Sequence, residues 1–227
     1  MSAREAILGR VKAACGRSDG QHITPASTPV ADVLSQLPQD VQQRITQPVC
    51  LTQPAEPQSL TDTLIEKMEA VQMSVVRLQT RDDVIDAVNW YLQEHGIEGG
   101  LSVSPSLDAL HWPSDVHVGP ATGHEATSVT TAMSAVAETG SVTLNSGPES
   151  PSTLNFLPEN HIVVLHESQI VASLDDVWTQ VRNLASLPRA VNLVTGPSRT
   201  GDIEQTIELG AHGPRRMHIL LVAADHE

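Results

Sequence analysis

From residue 190 the chain reads Ala190-Val-Asn-Leu-Val194, then Thr195-Gly-Pro-Ser-Arg-Thr-Gly-Asp-Ile-Glu204, and later Gly210-Ala-His-Gly-Pro-Arg-Arg216 and Met217-His-Ile-Leu-Leu-Val-Ala-Ala224. The first and last of these runs are short and apolar, which predicts two strands. Hydroxyls, acids, a histidine and arginines are concentrated between them. Because α/β proteins carry their working side chains in loops of this kind, a functional site is predicted here.

Outward from this stretch, helical and strand patterns alternate back to residue 60. The sequence predicts helices over 61–71, 81–95, 129–137 and 174–184, and strands over 74–78, 101–103, 141–144 and 161–165. This alternation predicts a three-layer α/β fold with a mostly parallel sheet, in a domain over 59–227. Residues 1–58 contain a short helical pattern followed by a segment rich in proline, glutamine, serine and threonine, which predicts an N-terminal extension.

Composition excludes several classes of function. The 227 residues are 40% hydrophobic but only 2% aromatic, so the core is predicted to consist of valine, leucine, isoleucine and alanine. A net charge of -14 with only two lysines argues against binding nucleic acid or an anionic membrane surface. No apolar run approaches the roughly 20 residues of a membrane helix, and no signal-peptide core is evident. We therefore expect a cytoplasmic protein without membrane insertion.

Cys15 and Cys50 are the only cysteines, and two free thiols in a reducing compartment are favoured over a disulfide. An iron-sulfur cluster normally takes four cysteines, so this chain is not expected to hold one, and no other cofactor is predicted in it. The sequence contains no G-x-G-x-x-G, Walker A, H-E-x-x-H or C-x-x-C motif. Any redox centre would therefore belong to a partner protein.

The polar stretch resembles the closing signature of the lactate utilization protein C family, whose members are LUD-domain proteins. That signature runs approximately Gly-Pro-Ser-x-Thr-x-Asp-Ile-Glu and then Gly-x-His-Gly-Pro. Two further blocks, Ala137-Glu-Thr-Gly-Ser-Val142 and Leu157-Pro-Glu-Asn-His-Ile162, resemble the family's Ala-Glu-Thr-Gly-Thr and Leu-Pro-x-x-His-Ile. The resemblance covers approximately residues 60–224. Its departures are conservative, since Ser141 replaces the usual threonine and no titratable group is lost.

The resemblance implies a Rossmann-like fold shared with the sugar-phosphate isomerase and coenzyme A transferase group. It also implies a subunit or accessory protein of an L-lactate oxidation system that yields pyruvate, with iron-sulfur clusters carried by partner proteins. An alternative from another class is a free-standing isomerase- or transferase-like enzyme acting on a small anionic metabolite. A structural or regulatory interaction protein is a third hypothesis.

The candidate site residues lie in two of the blocks. Glu138, Asp202 and His212 are the candidates for proton transfer, since imidazole titrates near neutral pH and close carboxylates raise one another's pKa. The candidates for binding a small carboxylate ligand are polar or cationic side chains in the same blocks: Thr139, Ser198, Arg199, Thr200, Glu204 and Arg215. Because parallel sheets gather ligand-binding loops at one edge, these residues are predicted to line one pocket.

Each candidate also has a purely structural interpretation. Ser198 or Thr200 would cap a short helix beginning near Gly201, and His212 would be a turn residue bonded to the backbone. Glu138 would occupy a solvated helix end. The remaining histidines fit no standard metal site; they include His111, His117, His124 and His161, of which the last opens a predicted strand and is expected to bond to the backbone.

Overall fold

A computed structural model describes residues 59–201 and 207–223, together with Gln39. The described elements belong to the unit Glu56–Glu227. The predicted extension over 1–58, including both cysteines, lies outside the described residues, apart from Gln39.

A six-stranded sheet forms the centre of this unit, and every neighbouring pair of strands in it is parallel. In spatial order the strands are β1 (Ser74–Leu78), β12 (Arg216–Val222), β7 (Asn160–His166), β4 (Glu125–Thr131), β2 (Gly100–Val103) and β3 (His117–Val118). Strands β7 and β12 are nearly continuous apolar runs because both of their faces are covered. The predicted three-layer α/β architecture with a mostly parallel sheet is confirmed.

Within residues 59–201 and 207–223, four α-helices accompany the sheet. They are α1 (Leu60–Ala70), α2 (Val84–Glu94, preceded by a 3-10 turn over Arg81–Asp83), α3 (Ser152–Phe156) and α4 (Leu174–Arg182). Ser59 caps α1, and Ser173 forms a capping box with Asp176 at the start of α4. Further 3-10 turns cover Pro105–Leu110 and Glu167–Gln169. None of the helices in the described part of the chain is long and apolar enough to cross a membrane.

Each face of the central sheet has its own hydrophobic core. On one face, Val84, Val88 and Tyr91 of α2 pack against Ile162 and Leu220 of the sheet. On the other face, α1 and a second sheet pack against Val163, Leu165, Ile219 and Leu221 of the central strands. The second sheet contains β8 (Ile170–Val171), β5 (Ser134–Val136), β6 (Ser141–Asn145) and β9 (Val191–Val194), and α4 covers its outer side.

One predicted helix is wrong. Residues 129–137 contain the end of β4 and all of β5, with Val129 packed into one core and Ala135 into the other. The short helix predicted to begin near Gly201 falls mainly on residues 202–206, which lie outside the described residues; Gly201 itself ends a strand, β10 (Arg199–Gly201), which pairs in antiparallel fashion with β11 (Ile207–Leu209). Helical and strand spacing cannot be separated over such short apolar runs by periodicity alone.

Candidate functional site

Two glycines from separate motif blocks pack on the end of α1. Gly140 has φ +68°, and a Cβ placed on it would lie 2.7 Å from the Lys67 Cβ. Gly196 has φ +92°, and a Cβ there would lie 2.8 Å from the Val71 carbonyl oxygen. Both positions therefore require glycine, for conformation and for space. The α1 terminus brings together two blocks that are 56 residues apart in sequence (196 − 140 = 56).

A chain of hydroxyl groups joins the same two blocks. The Thr139 Oγ1 and Ser141 Oγ atoms are 2.8 Å apart, and Ser141 Oγ lies 2.6 Å from Thr195 Oγ1. Ser141 is buried, whereas Thr195 is exposed. The hydroxyl at residue 141 thus connects the hairpin between β5 and β6 to the segment that follows β9.

The last motif segment folds back on itself through backbone hydrogen bonds. The Ser198 N–H donates to the Pro214 carbonyl at 2.8 Å, and the Gly210 N–H donates to the Ser198 carbonyl at 3.0 Å. The His212 N–H donates to the Ser198 hydroxyl at 3.3 Å, while the His212 ring is exposed. Arg215 is anchored through its N–H to the Glu159 carbonyl at 2.7 Å. This segment leads directly into β12, so it lies at the amino edge of the central sheet.

Two of the three predicted catalytic residues, Glu138 and His212, lie within the described residues. Glu138 lies in the turn between β5 and β6, rather than at the predicted end of a helix, and its Oε1 accepts a hydrogen bond from the Leu174 N–H at 2.9 Å. Its carboxylate therefore caps α4. Asp202 and Glu204 lie outside the described residues. The single pocket predicted for these side chains stays a prediction.

The two arginines of the motif differ in their surroundings. The Arg199 Nη2 donates to the Val71 carbonyl at 3.2 Å, which ties β10 to the end of α1. Thr200 lies next to it in β10, where its backbone is paired with that of Glu208. Arg215, in contrast, lines a cavity.

This cavity has a volume of about 250 Å³ and lies at the amino edge of the sheet, where β1 and β12 begin. Its lining comes from four separate parts of the chain: Gln72, Ser74, Tyr91, His95, Pro197, Arg215, Arg216 and Met217. Arg215 is the one predicted binding residue among them. We call this space the amino-edge pocket.

Three aromatic rings are in contact at the amino-edge pocket. The Tyr91 and His218 ring centroids are 4.2 Å apart with an interplanar angle of 17°, and His95 contacts Tyr91 edge-on at 4.4 Å. The Ser74 Oγ and His218 Nδ1 atoms form a 2.7 Å hydrogen bond. Burial, together with the charge of the neighbouring His95, lowers the pKa of His218 to about 4, although a hydrogen bond with the Ser74 backbone acts in the opposite direction. The His218 ring is therefore neutral at physiological pH.

The amino-edge pocket combines two guanidinium groups with a neutral phenol. Burial raises the pKa of Tyr91, although the positive charge of Arg216 acts in the opposite direction. The Arg216 Nη1 donates to the Asn160 side-chain oxygen at 3.2 Å, which restricts its position. Arginine forks match carboxylate oxygens in geometry and charge. The arrangement is therefore suited to a small carboxylate with a further polar substituent.

Sequence reasoning missed Ser74, Tyr91 and His95. They lie more than 100 residues before Arg215 and belong to no motif. Composition offers one hint, because Tyr91 is the only tyrosine of the chain. Composition does not indicate where in the fold that residue lies.

His161 occupies a separate buried position on β7. Its Nε2 lies 2.8 Å from the Thr130 hydroxyl, so the ring bonds to a side chain rather than to the expected backbone group. Burial lowers the pKa of His161 to about 4. Within the described residues, no group of three or more histidines, cysteines and acids is arranged to hold a metal ion.

A second, wider cavity of about 820 Å³ lies between residues 145–152 and 184–189. It is near the carboxyl edge of the sheet, because the Ser104 hydroxyl that follows β2 donates to the Glu149 carbonyl. It contains none of the predicted site residues. The amino-edge pocket is the better candidate because it includes part of the motif and two cationic groups.

Comparison with known proteins supports the family resemblance. Residues 122–222 match the family model described as LUD domain. An uncharacterized protein of Neisseria meningitidis serogroup B is 35% identical over 96 residues, which cover 42% of this chain and 41% of that protein. Lactate utilization protein C of Geobacillus kaustophilus is 31% identical over 141 residues, covering 55% of this chain and 58% of that protein. The matching segment thus spans less than two thirds of these relatives.

Among solved structures, the chain is similar to a DUF162 family protein from Deinococcus radiodurans. The TM-score is 0.56 at 20% identity, and the match covers 73% of this chain and 99% of that chain. At this identity the likeness concerns the fold, which is Rossmann-like and three-layered.

Proposed function

This chain belongs to the LUD-domain family, with lactate utilization protein C among its relatives, and on that premise we propose that it is a cytoplasmic subunit or accessory protein of an iron-sulfur-dependent system that oxidises L-lactate to pyruvate. These relatives are named for lactate utilization. Its assignment to the whole of this chain, with the cytoplasmic location and the iron-sulfur requirement, is our inference.

The observation that carries the proposal is the pair of adjacent arginines in the amino-edge pocket. Arg215 and Arg216 follow the motif segment and line a cavity of about 250 Å³, which suits a ligand of a few heavy atoms. In a chain with a net charge of -14, two guanidinium groups on one small cavity provide local attraction for an anion. A small carboxylate, such as lactate or pyruvate, is the ligand we propose.

The electrons of lactate oxidation would pass to partner proteins. Two cysteines are too few for a cluster with four thiolate ligands, and we propose that this chain contains no cofactor of its own. The chain would therefore bind or position the substrate in a complex whose iron-sulfur proteins carry the redox centres. His212 and Asp202 remain our candidates for proton transfer, whereas the carboxylate of Glu138 is engaged at α4.

Copurification provides the test of this role. The tagged full-length chain would be isolated from its native source grown on L-lactate, and the recovered complex assayed for iron and for lactate-dependent reduction of an electron acceptor. We expect cluster-bearing proteins to copurify and activity to require both components. Turnover of a small anionic metabolite by the chain alone would instead favour the free-standing isomerase- or transferase-like enzyme.

Two substitutions make this test specific to the pocket. Arg216→Gln should lower lactate-dependent activity at least about tenfold, because one charged hydrogen-bonding partner of the carboxylate is lost. Arg189→Gln is a matched control, since that arginine lines the second cavity. Equal losses in both variants would contradict placement of the carboxylate at the amino edge.

A further inference from the structure

Tyr91 contributes a phenol to the lining of the amino-edge pocket. The residue is 3% exposed, yet it is part of the cavity lining. Its hydroxyl has no hydrogen-bonding partner among the described residues. Because the phenol lines the cavity, its hydroxyl is available to a ligand there.

The Tyr91 ring is held in place from two sides. His218 stacks on its face, His95 contacts its edge, and Ser74 fixes the His218 ring by a 2.7 Å hydrogen bond. The Tyr91 backbone belongs to α2, whose neighbouring positions Val84 and Val88 are completely buried. The phenol thus has one preset orientation, and little conformational freedom is lost when it forms a hydrogen bond.

The phenol and the guanidinium groups face the same space but differ in chemistry. The Arg216 charge is close enough to act on the ionisation of Tyr91, whereas burial keeps the phenol protonated and therefore a hydrogen-bond donor. A carboxylate bound to Arg215 and Arg216 would place its own substituents within this small cavity. The substituent nearest to the carboxylate is the one on carbon 2.

We propose that Tyr91 determines the specificity of the amino-edge pocket: its hydroxyl donates a hydrogen bond to the oxygen on carbon 2 of a carboxylate held by Arg215 and Arg216. The pocket then selects 2-hydroxy and 2-oxo carboxylates over carboxylates that lack this oxygen. The inference rests on the proposed function for the position of the carboxylate, and it adds the residue that recognises the second group.

Lactate and propionate provide the test, because they differ only in the oxygen on carbon 2. Calorimetric titration of the full chain should give a dissociation constant for propionate at least about tenfold higher than that for lactate. In Tyr91→Phe this ratio should fall to about one, with propionate binding unchanged. Trp90→Phe is the matched control, since Trp90 is the preceding residue of α2 and is 54% exposed; it should retain the wild-type ratio.

A second measurement uses the unsubstituted protein. Tyr91 is the only tyrosine, so the ring carbon that bears its hydroxyl gives a single NMR signal in a chain labelled at tyrosine. Lactate should shift this signal, and propionate should shift it much less. This observation keeps the test decisive if Tyr91→Phe fails to fold.

The outcomes separate the two proposals. If the wild-type chain binds neither acid, the carboxylate pocket of the proposed function fails and the inference fails with it. If the acids bind equally well, or if Tyr91→Phe preserves the preference for lactate, Tyr91 is not the specificity residue although the arginine pocket stands.

Discussion

Acidification from about pH 7.5 to about pH 5 should destabilise this protein through two buried histidines. His161 is 1% exposed and His218 is 2% exposed. Burial lowers the pKa of each ring from 6.5 to about 4, with His95 contributing at the second position. The native rings are therefore neutral at pH values where the same rings in the unfolded chain are protonated.

The sign and size of the effect follow from proton linkage. Between about pH 6.5 and about pH 4 the unfolded chain binds more protons than the native chain, so the free energy of unfolding falls as the pH falls, and this contribution levels off below that window. The contribution of each histidine is absent above the pKa of its ring in the unfolded chain. At about pH 5 the linkage costs about 2 kcal/mol for each ring, or about 4 kcal/mol for both.

Substitution isolates these contributions from the carboxylates that also titrate in acid. His218→Phe keeps an aromatic ring stacked on Tyr91 and leaves a Ser74 hydroxyl that water can reach, because Ser74 is exposed. The double variant Thr130→Val with His161→Leu removes both members of the other hydrogen-bonded pair. Neither side chain is therefore left buried without the partner it has in this pair. Between about pH 7.5 and about pH 5, the free energy of unfolding of each variant should fall by about 2 kcal/mol less than that of the wild type.

The measurement is urea unfolding followed by circular dichroism at the two pH values. His124→Gln is the control, since this exposed residue lowers the histidine count by one without altering either buried ring. A variant that keeps the full wild-type difference between the two pH values would show that its histidine is protonated in the native state. The argument from burial would then be wrong for that ring.

Three further predictions concern stability and composition. Gly140→Ala should lower the free energy of unfolding in denaturant by at least about 2 kcal/mol more than Gly123→Ala does. Both glycines have positive φ, but only a Cβ at residue 140 would lie against Lys67. Equal losses in the two variants would refute the packing argument. Glu138→Ala should lower the free energy of unfolding by about 1 kcal/mol, because it removes the acceptor for the Leu174 N–H. Glu138→Gln should have an intermediate effect, and an unchanged melting curve would contradict the capping role. The isolated full-length chain should contain no stoichiometric iron by elemental analysis, because two cysteines do not provide four thiolates; iron with visible absorbance would overturn this expectation.

Some elements could be predicted from local sequence. The apolar runs over 162–165 and 219–222 contain only branched aliphatic residues, which favours strands, and Ser173 marks the start of α4. Residues 129–137 could not be assigned in this way. Their apolar spacing fits a helix as well as two short strands, and burial of Val129 and Ala135 in different cores decides between them.

The sequence by itself determined the fold class, the resemblance to the LUD-domain family and the general position of the motif segments, because these depend on periodicity and residue identity along the chain. It also identified Arg215 as a candidate for binding a carboxylate. Only the tertiary structure placed Glu138 at the start of α4 and brought Ser74 and Tyr91 to the amino-edge pocket. The physical reason is that parallel pairing of β1 with β12 and packing of α2 on the sheet unite segments far apart in sequence, and no local pattern encodes which of them will meet.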